Sequence, residues 1–545
     1  MKRTSLAVLM IALALVALAA PLAYAQAPAP KVTINGLIDN VTSYSQNMAN
    51  YNGGFFNRKD SMWYYRTRGR FDIIGEVGKA KGVLGLELDH IFGQAGSNDS
   101  TIVNAGAASG TAVQTGFGTD GSFDLNTDSR GIIEIKWLYV EFPMPLIPVP
   151  TTARLGAQPF GALATYKIGT YATGDFPGVS ITSQITPNFK LIGTYVQVEE
   201  SLVGTDTKSI AGVAPAGVLS SQNRGDDFAG ILSFEITPFK GLDIKPMGSF
   251  FYAQGTTSGS ARAGRGGLNT TTQYTTPTGE TRGGINEYRY TVGLDTRLRM
   301  GPFSLDPTVM YQFGNKAVIA PASFAASGAV PGRKYYPNMD AWLVDIRGGF
   351  QLGPLLLEAL VAYSSGNSAR NNTLGTVRYY QPLNTDTGYQ ADWGSSITGL
   401  GIDYLNAFNE AAGRIAYSGN QIGWDKYGRM QLGVKATYAI TPELSIMAGA
   451  NGHWSAEKMD RNGSVVTAGQ GITPVFTGPT PRDNERFVGT ELMALITWRF
   501  APGLTWDNQF GYMFMGPALD GVTDPTLPRN TNDPFMLTSR IRFTF

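Results

Sequence analysis

The feature that most constrains this chain is a two-residue alternation of apolar and polar side chains, repeated in segments of about ten residues. Between positions 287 and 300, the odd-numbered residues include five charged ones. The even-numbered residues are apolar, aromatic or threonine, and run from Tyr288 to Met300. An α-helix would scatter these charges around its circumference, whereas an extended strand places them on one side. Residues 430–440 alternate in the same way, so both segments are predicted to be strands.

The connections between these segments alternate between short and long. Short turns include 78–82, 186–188, 301–302, 353–354 and 501–503, and between them lie long stretches rich in Gly, Ser, Thr and Asn. Many apolar faces also begin or end in aromatic residues, as in Trp63-Tyr64-Tyr65, Trp137 with Tyr139, Trp498 with Phe500, and Tyr512 with Phe514. Short turns at one end, long loops at the other and aromatic girdles are typical of transmembrane β-barrels rather than of soluble sandwiches.

The predicted fold is therefore all-β: one antiparallel transmembrane barrel of about 18 strands, with 16 to roughly 20 as the range. It has short periplasmic turns and long extracellular loops, and residues 26–545 form a single domain. A barrel of this size encloses an aqueous channel, whereas an eight-stranded barrel is filled by side chains.

The longest connection, 365–427, is predicted to be a long extracellular loop. It is rich in aromatic residues, which could line a sugar path, although packing of the loop on itself or on a neighbouring subunit is favoured. An extra hairpin near Thr376–Tyr380 and Arg414–Tyr417 and a short helix over Asp403–Arg414 are the alternatives.

Residues 1–25 are predicted to be a secretory signal peptide. Lys2 and Arg3 precede an apolar stretch from Leu6 to Leu18, and Ala23-Tyr24-Ala25 is a small-x-small cleavage site. The chain contains no cysteine, so disulfides and thiolate metal sites are excluded. Without Lys2 and Arg3, 41 basic residues balance 42 acidic ones, which gives no electrostatic footprint for nucleic acid.

Enzymatic and metal-binding functions find little support in the residues. The two histidines, His90 and His453, are far apart in sequence, and Ser455 near His453 has no evident orienting partner. Residues 124–128 begin like an EF-hand calcium loop, but Ser129 stands where glycine is needed and Glu134 comes one position early. We therefore expect no enzyme activity, no catalytic residues, no metal site and no cofactor; a loop-bound Ca²⁺ stays a minor alternative.

Two sequence features resemble the outer-membrane porins of Gram-negative bacteria, the family with barrels of 16 or 18 strands. In the last segment, Leu537, Ser539, Ile541, Phe543 and Phe545 alternate with polar residues, and the porins end in a similar strand with a terminal Phe. Residues 154–161, Arg-Leu-Gly-Ala-Gln-Pro-Phe-Gly, are similar to the end of the porins' fifth strand. The resemblance implies that 161–177 is an inward-folded constriction loop and that Phe545 is an assembly signal.

The same resemblance implies a function, a location and partners. The expected function is passive diffusion of small hydrophilic solutes or ions through a water-filled channel. A solute-specific channel for anions or carbohydrates, and a structural or adhesive barrel acting through its loops, are the alternatives. The protein is expected in the bacterial outer membrane, in contact with lipid and lipopolysaccharide, after insertion by the barrel-assembly machinery. A homotrimer is expected, with small solutes or ions as partners and no nucleic acid.

Charged residues on the polar faces are the candidates for lining the pore, because charges are tolerated in a wet lumen and disfavoured against lipid. The strongest of them is a ladder of three arginines two residues apart on one face, Arg66, Arg68 and Arg70, since like charges so placed repel unless an acidic or anionic group faces them. The other candidates are Arg154, Lys167, Asp175, Arg289, Arg297, Arg299, Glu134, Asp295, Lys435, Arg540 and Arg542.

Overall fold

A computed structural model describes the strands of the chain and parts of its connections. The described residues are 29–47, 61–92, 122–123, 133–160, 171–199, 227–254, 274–275, 281–282, 286–319, 330, 333–368, 375–385, 393–399, 402, 427–459, 464–467, 471–474, 485–519 and 532–545. The predicted signal peptide, the calcium-like stretch at 124–128, and the alternatives at 403–417 lie outside these residues.

Eighteen long antiparallel strands form one closed barrel, so the predicted fold class is confirmed. They are β1 (Lys31–Gln46), β2 (Ser61–Val77), β3 (Ala80–Phe92), β4 (Ile133–Pro143), β5 (Thr151–Phe160), β6 (Ala172–Thr186), β7 (Phe189–Glu199), β8 (Asp227–Phe239), β9 (Leu242–Gln254), β10 (Asn286–Met300), β11 (Phe303–Lys316), β12 (Asn338–Leu352), β13 (Leu355–Ser364), β14 (Arg429–Ala439), β15 (Leu444–Met459), β16 (Glu485–Ala501), β17 (Leu504–Met515) and β18 (Phe535–Thr544).

The barrel closes between its first and last strands. β1 pairs with β18 from Leu37 opposite Thr544 to Gln46 opposite Phe535. Beyond the strand end, the backbones of Gly36 and Phe545 exchange hydrogen bonds of 2.9 and 3.0 Å. Closure leaves no unpaired strand edge, which a lipid bilayer requires because it offers backbone groups no hydrogen-bond partner.

Two of the shortest turns, at one end of the barrel, depend on glycine for their backbone conformation. Gly301 and Gly353 both have a φ of 55°, a left-handed conformation that β-branched and bulky residues rarely adopt. Each is followed by proline, and each turn joins two strands through only two residues. Because successive strands run in opposite directions, the long connections lie at the other end, as the sequence predicts.

The two faces of the strands separate as the alternation predicts. In β10, Val292 and Leu294 are exposed on the exterior, whereas Arg289 and Asp295 are buried inside. The interior is mostly polar and charged, with apolar residues such as Met310, Leu343 and Phe251 beneath an infolded connection. An apolar exterior around a polar interior is the pattern of a barrel that spans a bilayer. Among the described residues, no helix is long and apolar enough to cross a membrane.

Aromatic side chains cluster near both ends of the exterior. At the long-loop end, Tyr252 and Tyr288 lie 5.2 Å apart, and Tyr311 and Trp342 lie 4.4 Å apart (ring centroids). At the short-turn end, Trp498 contacts Phe500 at 5.5 Å. These contacts agree with the predicted girdles.

The assignment of Trp137 and Tyr139 to a girdle is wrong. The pairing of β3 with β4 shifts between Gly85 and Leu86, which oppose Trp137 and Ile135 and leave Lys136 as an extra residue. Such a β-bulge reverses the alternation of the strand beyond it. The indole of Trp137 consequently reaches inward and donates to Asp72 Oδ1 at 2.9 Å.

The start of β6 differs from the expected loop. The sequence places 161–177 in a loop, whereas β6 begins at Ala172 and pairs with β5 up to Gly174 opposite Phe160. Three two-residue segments also pair in parallel with barrel strands: 122–123 with β3, 376–377 with β12, and 384–385 with β6. The last two belong to the same connection, between β13 and β14, which folds into the barrel.

Candidate functional site

The inner wall of β2–β4 carries a cationic cluster organised by one carboxylate. Glu87 lies 2.5 Å from Arg70 Nε, 3.2 Å from Arg68 Nη2 and 3.5 Å from Lys136 Nζ. The side chain of Arg70 remains 33% exposed, whereas that of Glu87 is 9% exposed. Within this cluster the guanidinium of Arg70 is therefore more accessible from the lumen than the carboxylate of Glu87.

A second ion-pair cluster lies on β3, β4 and β5, closer to the short-turn end of the barrel. Glu141 on β4 accepts from Arg154 Nη2 at 2.6 Å and is 2.8 Å from Lys81 Nζ. The Arg154 guanidinium also stacks 4.7 Å from the centre of the Tyr139 ring. Arg154 and Lys81 keep roughly a third of their side chains exposed, which makes them accessible from the lumen.

A third group of charges is buried inside β9–β11. Arg289 is 3.1 Å from Glu287, and its guanidinium lies 4.5 Å from the centre of the Phe251 ring. Lys316 lies 3.7 Å from the same carboxylate. All three charged side chains are at most 3% exposed, so an inserted segment covers them.

The cover includes residues 375–385 of the long connection between β13 and β14. Gln381 accepts from Arg289 Nη1 at 2.9 Å, and its backbone exchanges two hydrogen bonds with the Gln312 side chain at 2.7 and 2.8 Å. Leu383 N donates to the carbonyl of Tyr171 at 2.8 Å, and the Tyr171 hydroxyl donates to Ser249. The connection is thereby tied to β9, β10 and β11 and to the start of β6.

Residues 393–399 and Ile402 are tied to another part of the wall, on β14–β16 and β18. Trp393 is 1% exposed, and its indole N–H donates to Asn451 Oδ1 at 2.7 Å. Lys435 Nζ lies 4.2 Å from the centre of the same ring and donates to the Trp393 carbonyl at 3.2 Å. Further along, the carbonyl of Ile402 accepts from Arg540 at 3.1 Å.

Glu491 on β16 is the centre of this second attachment. Its Oε1 accepts from the backbone N–H groups of Ser396 and Ile397, both at 2.8 Å. Its Oε2 accepts from the Thr398 hydroxyl at 2.6 Å and lies 3.6 Å from His453 Nε2. A carboxylate with three donors on one short segment holds that segment firmly, because charge-assisted hydrogen bonds are about twice as strong as neutral ones.

Three tyrosines at the first attachment are fully buried outside the strands. Burial raises the pKa of the Tyr171, Tyr379 and Tyr380 phenols above the usual value. They therefore stay protonated and serve as neutral hydrogen-bond donors, as Tyr380 does toward Met310 Sδ at 3.1 Å.

The structure places most of the predicted pore residues on the inner wall, in separate groups. Arg66, Arg68, Arg70 and Arg154 belong to the β2–β5 wall. Arg542 pairs with Asp39 at 2.5 Å and Arg540 with Asp507 at 2.6 Å, both beside the barrel closure. On β10, Arg299 pairs with Asp306, Arg297 lies opposite Asp243 in register, and Asp295 accepts from Thr308.

Some predicted residues cannot be placed in full. Lys167 lies outside the described residues, and the side chains of Glu134 and Asp175 are not described, although both lie in strands. Phe545 is described: its ring is 46% exposed and lies 6.1 Å from that of Phe71 at the short-turn end. Its role in assembly stays a prediction.

Sequence reasoning missed the attachments of the long connection. Gln381, Trp393 and Thr398 have no periodic pattern and no motif. Only two features of the sequence point indirectly to these attachments: the length of 365–427, and the polar residues Asn451 and Glu491 on inward faces. Ser455 and His453 do not pair with each other: Ser455 Oγ donates to the Glu457 carbonyl at 2.6 Å, and His453 Nε2 lies 3.2 Å from the Thr398 hydroxyl.

Comparison with known proteins gives structural likenesses only. No protein-family model matches this chain, and no curated protein sequence matches it. The solved structures similar to it include OpdK from Pseudomonas aeruginosa (TM-score 0.46, 8% identity, 94% of this chain and 98% of that one). A BenF-like porin from Pseudomonas fluorescens Pf-5 gives a TM-score of 0.45 at 11% identity, with 94% and 98% coverage. OccK3 (OpdO) from P. aeruginosa gives 0.42 at 10%, with 94% and 95% coverage.

Proposed function

We propose that this protein is an outer-membrane channel through which small hydrophilic solutes or ions diffuse passively. The observation that carries the proposal is a closed barrel of eighteen strands whose inner wall bears accessible charges at Arg70, Lys81 and Arg154. A transmembrane wall that is charged inside and apolar outside favours a water-filled lumen, because unhydrated charges there would cost several kcal/mol each.

A solute-specific channel is the second candidate, and the infolded connection favours it. Residues 375–385 and 393–399 cover the walls of β9–β11 and β14–β16, whereas the wall of β2–β5 keeps accessible cationic side chains. On that wall Arg70, Lys81 and Arg154 are more exposed than the carboxylates with which they pair, so a passing solute would meet cationic groups first. Negatively charged solutes are therefore the class that such a channel would favour.

The proposal also includes the expectations that concern the protein's surroundings. These are export through residues 1–25, insertion by an assembly machinery that reads Phe545, and contact with lipopolysaccharide. The proposed function is non-enzymatic: solutes pass through the channel and are not chemically changed. A structural or adhesive barrel would instead act through its long connections and would not need a conducting lumen.

Solute uptake by reconstituted liposomes tests the proposal. Purified protein in liposomes should admit sugars of increasing size up to a sharp limit, with faster entry of organic anions than of neutral solutes of equal size. Liposomes without protein give the background rate. A correctly folded barrel that admits no solute would refute the channel and favour the structural alternative.

A further inference from the structure

The β-bulge in β4 turns one tryptophan toward the lumen and lays its ring flat on the barrel wall. Trp137 lies opposite Gly85 of β3, and Gly85 lies opposite Asp72 of β2. The indole of Trp137 crosses over β3, and its N–H donates to Asp72 Oδ1 at 2.9 Å. A Cβ atom at Gly85 would overlap Nε1, Cδ1 and Cε2 of the indole. The ring therefore rests directly on the backbone of Gly85.

This arrangement leaves one face of the indole toward the lumen. Gly85 is buried beneath the ring, whereas Trp137 itself is only partly buried. Lys136 Nζ lies 5.6 Å from the ring centre and 3.5 Å from Glu87 Oε2, so its charge is shared with that carboxylate. Trp137 thus offers a flat apolar surface within the charged inner wall of β2–β5.

Groups that accept and groups that donate hydrogen bonds border this surface. Asp72 Oδ2 has no hydrogen-bond partner in the described part of the chain, which leaves an acceptor beside the indole N–H. On the long-loop side, the Arg70 side chain is 33% exposed and supplies donors. On the short-turn side, the Arg154 guanidinium lies 4.7 Å from the centre of the Tyr139 ring, two residues beyond Trp137. An acceptor and two sets of donors therefore surround one flat face.

This combination matches the chemistry of a sugar ring. A pyranose has an apolar C–H face, and each hydroxyl at its edge both donates and accepts hydrogen bonds. An organic anion would be repelled by Asp72, and an organic cation would be repelled by Arg70 and Arg154. A neutral aromatic solute would cover these polar groups without pairing them, which is costly. A neutral polyhydroxylated ring satisfies the aromatic face, the acceptor and the donors together.

We propose that Trp137, Asp72 and Arg70 form a sugar-binding site in the channel. The C–H face of the sugar packs on the indole, one hydroxyl donates to Asp72 Oδ2, and a neighbouring hydroxyl accepts from Arg70. The inference rests on the proposed channel function and names neutral monosaccharides as a solute class. Binding should be weak, with a Kd on the order of 1 mM, because a site on a diffusion path must also release its solute.

Current recordings with glucose test the site in a conducting barrel. Glucose should cause brief, concentration-dependent interruptions of the open-channel current, and sorbitol, an open-chain polyol of similar size, should cause fewer. Trp137→Leu removes the flat face and should weaken the glucose block by about tenfold. Trp63→Leu is the matched control, because Trp63 is 78% exposed on the exterior of the barrel. The control should be blocked by glucose like the wild type.

A second variant moves the indole without removing it. Gly85→Ala places a methyl group where the ring rests, so the glucose block should weaken as in Trp137→Leu. Gly75→Ala is its control, because a Cβ atom at Gly75 meets nothing within 4 Å. Retention of the folded, SDS-resistant form at room temperature confirms that each variant is a barrel.

Saturation-transfer NMR of glucose with the barrel, in a detergent without a sugar headgroup, separates failure of the site from failure of the channel. A silent barrel that binds glucose in a Trp137-dependent manner would refute the channel and support the site. A conducting barrel that neither binds glucose nor is blocked by it would overturn the site and leave the channel intact. Binding that Trp137→Leu and Gly85→Ala leave unchanged, or block by benzoate and not by glucose, would also overturn it.

Discussion

Glu491 accepts a hydrogen bond of 2.6 Å from the Thr398 hydroxyl, although 93 positions separate the two residues in the chain. Glu491 belongs to the barrel wall, and Thr398 belongs to the connection inside it. The contact therefore joins the scaffold to the element that narrows the lumen. Functional sites on loops often depend on such contacts, because a loop alone has little local stability.

Loss of the Glu491 carboxylate should release residues 396–398. Glu491→Ala leaves two backbone N–H groups and one hydroxyl without their acceptor, at about 1–3 kcal/mol per buried donor. We expect a larger and noisier single-channel conductance with the barrel intact. Asp306→Asn is the control, because Asp306 pairs with Arg299 near the short-turn end. Unchanged conductance in Glu491→Ala would show that this attachment does not set the opening.

Trp393 should act as the anchor of the same segment on β14 and β15. Trp393→Ala removes a buried aromatic side chain, a change that typically costs 3–5 kcal/mol, and with it the contacts to Asn451 and Lys435. Trp393→Phe keeps an aromatic ring near Lys435 and loses the N–H donor and part of the buried ring volume. Conductance should rise strongly in the Ala variant and slightly in the Phe variant. Equal effects of the two substitutions would argue against the stacking contact.

Ion selectivity should follow the charges around Glu87. Glu87→Gln leaves Arg68, Arg70 and Lys136 without their shared counter-charge, so the reversal potential in a salt gradient should shift toward anions. Arg70→Gln should shift it toward cations, because its exposed guanidinium is removed. The opposite signs serve as internal controls. Shifts in the same direction, or none, would mean that ions do not pass this wall.

The buried tyrosines should resist ionisation at high pH. Because burial raises the pKa of Tyr171, Tyr379 and Tyr380, their contribution to stability is complete below the unfolded value of about 10 and is lost as pH rises through the higher folded values. Absorbance titration near 295 nm should show a late-ionising group of tyrosines. The triple Tyr→Phe variant should lack it. If the triple variant keeps the late phase unchanged, other phenols are responsible.

The barrel was predictable from the sequence because the alternation that specifies each strand is local. Each strand, such as β10, must place alternate residues in lipid and water, and this requirement is visible in the order of residues from Glu287 to Met300. The short turns carry glycine or proline for equally local reasons. Strand number, turns and most of the faces were therefore accessible without any structure.

The interior arrangement was not predictable in the same way. The contact of Gln381 with Gln312, or of Trp393 with Asn451, joins distant positions through single polar side chains, and no periodicity marks either partner. The bulge at Lys136 depends on pairing between β3 and β4, which the sequence of β4 alone does not reveal. Long-range contacts inside a closed barrel arise from the fold and have no local signature.

Single-channel recording of the purified, refolded protein in planar lipid bilayers tests the central claim most directly. The structure predicts stable ohmic steps with a moderate preference for anions, and wider steps when the Glu491 attachment is removed. A barrel shown to be folded by its SDS resistance, yet electrically silent in wild type and in Glu491→Ala, would contradict a continuous water-filled passage.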